Sequence, residues 1–102
     1  MTSDCTELSQ AGHTALQMID KLLAERPVKV GHDFSEATRC LVAFRDGLIR
    51  HCRRNSSNQD RERLSKVNTV LAVIVGAHFP LAGIPWSQIE QARALLVVTL
   101  SC

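Results

Sequence analysis

The chain has 102 residues, of which 45% are hydrophobic and 22% charged, and its formal net charge is +2. A chain of that length holds one domain, burying roughly 65% of the surface it exposes when unfolded, and two independent cores are excluded. The ordinary balance of apolar and charged residues also excludes a wholly disordered chain, leaving a short flexible N-terminus at about residues 1–5 and one polar loop.

The opening residues Met1-Thr2-Ser3-Asp4-Cys5 are polar and acidic, without the basic start and apolar stretch of a signal peptide. The most apolar run, Thr69 to Ala77, falls far short of the ~20 residues a membrane helix needs. A cytoplasmic protein with no membrane segment is expected. Cys5, Cys40, Cys52 and Cys102 form no CxxC pair, so reduced thiols are expected. Cys40 and Cys52 fall in one predicted helix, about 18 Å apart at ~1.5 Å per residue, too far to bridge.

Four helices follow from the periodicity. The first is predicted from about Glu7 to Arg26, with Asp4 and Glu7 at capping-box spacing. Its apolar stripe is Leu8, Ala11, Ala15, Met18, Ile19, Leu22 and Leu23, and Pro27 ends it. Val28 to His32 reads as a connector. Asp33 and Glu36 again have capping-box spacing, and a second helix runs to about Arg54 with the stripe Phe34, Ala37, Leu41, Phe44, Leu48 and Cys52. Arg50, His51, Arg53 and Arg54 crowd its last turn, where positive charge complements the helix dipole.

Asn55-Ser56-Ser57-Asn58 is the most loop-like stretch. A third helix is predicted from near Gln59, capped by Ser57 or Asn58, to His78 or Phe79 before Pro80. Its stripe is Leu64, Val67, Leu71, Ile74 and His78, with Val70, Val73, Val75 and Ala77 adding apolar surface around the circumference. After the turn Leu81–Ile84, Pro85 suits the first position of a fourth helix carrying Trp86, Ile89, Ala92, Leu95, Leu96 and Leu100. Strand competes over Val70–Val75 and Leu95–Leu100, but both runs extend longer periodic segments. The expected class is therefore all-α, a small four-helix domain.

Two stretches carry more apolar surface than one side of a small bundle requires, Val70–Ala77 and Ala94–Leu100. A homodimer with an apolar helical interface would bury the surplus, with Val70, Val73, Ile74 and Leu96 as candidate interface positions. Alternatively, the third helix is the central element, wrapped by the other three.

Catalytic chemistry finds no support. His13, His32, His51 and His78 are scattered one per segment, without an HxxxH or HxxE pattern. His51 and Cys52 are adjacent, so on a helix they point about 100° apart. Cys52 is expected to be a buried apolar residue, His51 a helix-end cation and His78 a core histidine. No cofactor, metal or catalytic residue is assigned.

Between Arg39 and Lys66 eight basic residues stand against three acidic ones, a local net charge of +5. Nucleic-acid binding through this Arg39–Lys66 region is the alternative function. Against it, the linking loop is long and the following helix turns apolar where base-reading side chains would be expected. Tyrosine is absent and Trp86 is remote in sequence. A basic rim of Arg50, Arg53, Arg54, Arg61 and Arg63 around a protein interface, steering an acidic partner, explains the same charges.

The segments MTSDCTELSQ, RDGLIRHCRRN and VNTVLAVIVGAHFPLAGIPW, with the chain length, resemble the small antiactivators of LuxR-type quorum-sensing regulators. The likeness runs over the whole chain rather than through a motif, so it assigns no role to any single residue. It implies a helical homodimer that binds the ligand-binding domain of a LuxR-type transcription factor. Occupying the surface through which that factor dimerises would block its DNA binding and raise the threshold for quorum-sensing genes.

Overall fold

The computed structural model describes residues 3–27, 31–54, 57–77 and 83–100, with 3–9 by backbone only. Four helices account for almost all of them: α1 (Ser3–Glu25), α2 (His32–Arg54), α3 (Asn58–Ala77) and α4 (Trp86–Thr99). There is no strand among the described residues, so the valine-rich runs of α3 and α4 are helical despite their β-branched content. The predicted stops at His78–Pro80, the connector at 28–30, the loop at 55–56, part of the turn at 81–82, and Cys102 lie outside the described residues.

The helix ends show where local chemistry acted and where it did not. α1 begins at Ser3, four residues before the expected start, so Asp4 sits inside the helix rather than capping it. Nothing between Ser3 and Glu7 breaks a helix. Extending one costs little once it is nucleated, and an acidic first turn favours it. The expected flexible stretch at 1–5 is thus helical from Ser3. In α2 the Asp33/Glu36 capping box does not form. The Ser35 N–H donates to the Gly31 carbonyl at 3.3 Å, Asp33 pairs with Lys21 of α1 at 3.5 Å, and Glu36 turns toward Arg39. In α3 the expected cap is present, with Ser57 Oγ accepting the Asp60 N–H at 3.1 Å. Pro85 is the cap of α4 rather than its first residue, its carbonyl accepting the Ile89 N–H at 3.1 Å. Gly83, at φ 116, turns the chain into α4 through a conformation open mainly to glycine.

Arg26 ends α1 in a left-handed conformation, φ 43, which costs a non-glycine residue about 1–2 kcal/mol. Pro27 disfavours continued helix, and the Arg26 N–H closes the end by donating to the Leu22 carbonyl at 2.7 Å. The side chain then reaches α4. Its guanidinium lies 5.9 Å from the Trp86 ring centroid and bonds the Glu90 carboxylate. Arg26→Ala should lose these contacts while keeping the strain, lowering stability by about 1–2 kcal/mol. Arg26→Gly loses the same contacts but releases the strain, so its urea midpoint should lie above that of Arg26→Ala. Equal midpoints would show that the backbone at Arg26 stores no strain.

Helices of 23 residues at ~1.5 Å each span about 35 Å, which places α1 and α2 along the 43 Å long axis of a molecule only 20 × 18 Å across. Joined by short connections, successive helices run antiparallel. They pack in the cyclic order α1–α2–α3–α4–α1, and among the described residues no Cα atoms of a diagonal helix pair come within 8 Å of each other. The third helix is therefore not the central element. It is one corner of a square, and among the described helices it is bordered by α2 and α4 alone.

The predicted stripes converge on the axis. Ile19 and Leu22 of α1, Phe34, Leu41 and Leu48 of α2, and Ile89 of α4 are fully or almost fully buried. Phe34 and Trp86 meet across the diagonal, ring centroids 6.1 Å apart and planes tilted by 43°. Arg93 of α4 and Asp20 of α1 form a second link between those helices.

Candidate functional site

Three of the four expected interface residues belong to this core. Val70, Ile74 and Leu96 have no exposed surface, so they cannot meet a second chain while the bundle is intact. Val73 is partly buried and packs on the core. The correction follows from helix geometry. In a run where nearly every residue is apolar, periodicity cannot say which arc faces inward. Here the inward arc of α3 is Val67, Val70, Leu71, Ile74 and Ala77.

The apolar residues left outside are different ones. Val75, Val97 and Val98 are 41%, 39% and 57% exposed, and Ala72, Gly76 and Ala94 are exposed around them. An open groove along the outer side of α3 is lined by Arg61, Leu64, Ser65, Asn68, Thr69 and Ala72. Leu64, Asn68, Ala72 and Val75 recur at steps of four and three, so they share one face from the first turns of α3 nearly to its end. The helix is amphipathic only in its first half. Its second half carries small and branched apolar side chains on the solvent side.

The basic rim occupies the tip of the α2–α3 hairpin. Arg50, Arg53 and Arg54 are exposed on the last turns of α2, and Arg61 and Arg63 lie on the first turns of α3. Two other cations of the segment are paired with carboxylates. Arg45 pairs with Asp46 at 3.2 Å, and Arg39 holds Glu36 with two hydrogen bonds of 2.5 and 3.1 Å. The hydrogen bond from Arg39 keeps the Glu36 carboxyl below its ordinary range, and the same bond raises Arg39.

His51 is not simply a helix-end cation. Its Nε2 lies 3.2 Å from Asp60 Oδ2, joining the last turn of α2 to the first turn of α3. Asp60 is 7% exposed, a burial its place beside a polar loop does not suggest. Cys52, expected to be buried, is half-buried, while Cys40 of the same helix is buried and both are free thiols. His51→Ala should leave the Asp60 carboxylate without its imidazole partner and cost about 1–3 kcal/mol in urea unfolding. Asp60→Asn in that background should recover part of the loss. Additive losses would show that the pair does not clasp the hairpin.

Among the described residues no group of three or more His, Cys, Asp or Glu could hold a metal ion, and no helix is long and apolar enough to cross a membrane. The fold is that of a small all-α four-helix bundle. Comparison with known family models, curated proteins and solved structures finds no match to this chain.

Proposed function

We propose that this chain is a stoichiometric protein-binding regulator, a homodimeric antiactivator that engages a LuxR-type transcription factor and blocks its dimerisation and DNA binding. The supporting observation is the set of solvent-facing apolar side chains on α3 and α4, Val75 toward the end of α3 and Val97 and Val98 toward the end of α4, for which the bundle has no internal use. Apolar helical surface of this kind can replace the self-association surface of a partner, with no active site required. The sequence likeness to small antiactivators of LuxR-type regulators supports the same reading and supplies the partner class.

Val98→Asp is the informative substitution. The residue is 57% exposed, so the change should leave helicity and thermal unfolding within about 0.5 kcal/mol of the parent. It should weaken self-association, read by light scattering, or co-purification with the ligand-binding domain of a LuxR-type regulator. A variant that keeps the parental mass and still inhibits DNA binding by that regulator in a gel-shift assay would place the contact elsewhere. A parent chain that fails to bind any such regulator would overturn the function.

A further inference from the structure

We propose that the tip of the α2–α3 hairpin is a second binding surface, distinct from the α3–α4 face, and that it receives a short acidic polypeptide segment through arginine–carboxylate pairing. Arg50, Arg53 and Arg54 are exposed and make no ion pair among the described residues. Their spacing of three and four residues sets Arg50 beside both of the others on one side of α2. Each guanidinium presents a planar fork of donors that matches a carboxylate two bonds at a time, which lysine cannot do. Arg61 and Arg63 extend the positive field across the loop.

A phosphate backbone would be met by the same donors, but the surroundings favour carboxylates on a short chain. The cationic area is an edge, not a whole end of the bundle. Glu62 is exposed beside it. α1 begins at the same end of the antiparallel bundle with Asp4 and Glu7 in its opening turns, next to α2 and diagonal to α3. At one charge per ~1.7 Å, a duplex crossing a face 20 Å wide would lay about a dozen phosphates over it. Only part of that length would meet arginine. Trp86, on which an unpaired base could stack, lies at the far end of the molecule, engaged with Phe34 and Arg26. A segment of several Asp or Glu residues fits the edge without spanning the whole end of the bundle.

The test uses the full-length chain and a fluorescein-labelled decaglutamate peptide, read by fluorescence anisotropy at low salt, with a 20-base-pair duplex of mixed sequence as competitor. The parent should bind the peptide, and Arg53→Glu with Arg54→Glu should weaken binding at least tenfold. Lys21→Glu, at the opposite end of the bundle, should change it less than twofold, and Val98→Asp should leave it unaltered. If the double reversal unfolds by circular dichroism, Arg53→Gln with Arg54→Gln takes its place and should weaken binding at least threefold. Tighter binding of the duplex than of the peptide would overturn the proposal in favour of nucleic acid. So would equal loss on Lys21→Glu, or no peptide binding by the parent. Retained peptide binding in a Val98→Asp chain that no longer engages its regulator would show that the two surfaces stand or fall separately.

Discussion

Ile74→Asp should abolish folding, whereas the same change at Val98 leaves the bundle standing. Ile74 is fully buried on α3 among core side chains and Val98 is the most exposed of the large apolar residues on α4. Among the described residues the core offers a carboxylate at position 74 no cationic partner. An uncompensated buried charge destabilises a protein by several kcal/mol, in part by forcing the group to take up a proton. Domains of this size have only about 5–15 kcal/mol in hand, and the loss of apolar contact adds to the penalty. The expected Ile74→Asp product is a chain of low helicity with no cooperative thermal transition. Val70→Asp and Leu96→Asp should behave alike, since both side chains are equally enclosed. A folded, monomeric Ile74→Asp chain would instead mean that this residue lies at a surface between copies.

Gly12→Leu should be far more damaging than the same change at Gly31 or Gly76. Gly12 is buried on α1, and a Cβ placed there would come 2.6 Å from Leu100 Cδ2 and 2.8 and 2.9 Å from Phe44 Cδ2 and Cε2. Three helices, α1, α2 and α4, close together over this one position. Even alanine must displace the Phe44 ring, which is 2% exposed and has little room to turn. Overpacking of this kind costs typically 1–3 kcal/mol, against a gain of about 1 kcal/mol from replacing glycine with alanine in a helix. Gly12→Ala should therefore be neutral to about 2 kcal/mol destabilising. Gly12→Leu should lose about 3 kcal/mol or more, with partial recovery in a Phe44→Leu background. Chemical denaturation of the four proteins decides it. A stabilised Gly12→Leu chain would show that the helices do not approach closely there. Gly31 and Gly76, where an added Cβ meets nothing within 4 Å, serve as controls.

The candidate site was legible only in part. The arginines of the basic rim could be placed on the α2–α3 hairpin because helix ends and loops are marked by local residues: Asn55 to Asn58 between two amphipathic runs, Ser57 at a cap. The apolar surplus was also visible, as a lack of polar residues in α3 and α4. Which valines carry it was not. The expected positions Val70, Ile74 and Leu96 proved to be core, and Val75, Val97 and Val98 took their place outside. The difference between those sets is a rotation of one helix about its own axis, and a run of apolar residues is indifferent to that rotation.

By itself the sequence determined the number of helices, their approximate limits and the inward stripe of α2. These depend on interactions within a turn or two, namely apolar residues at steps of three and four, prolines at helix ends and a serine cap. The tertiary structure alone decided the square order of the helices, which leaves α3 at a corner instead of the centre. It also decided the pairing of His51 with Asp60, the reach of Arg26 to Trp86 and Glu90, and the need for glycine at position 12. Each of these depends on how far one helix turns and how closely it approaches another. That geometry is set by the simultaneous fit of side chains from several helices, and no local stretch of sequence encodes it.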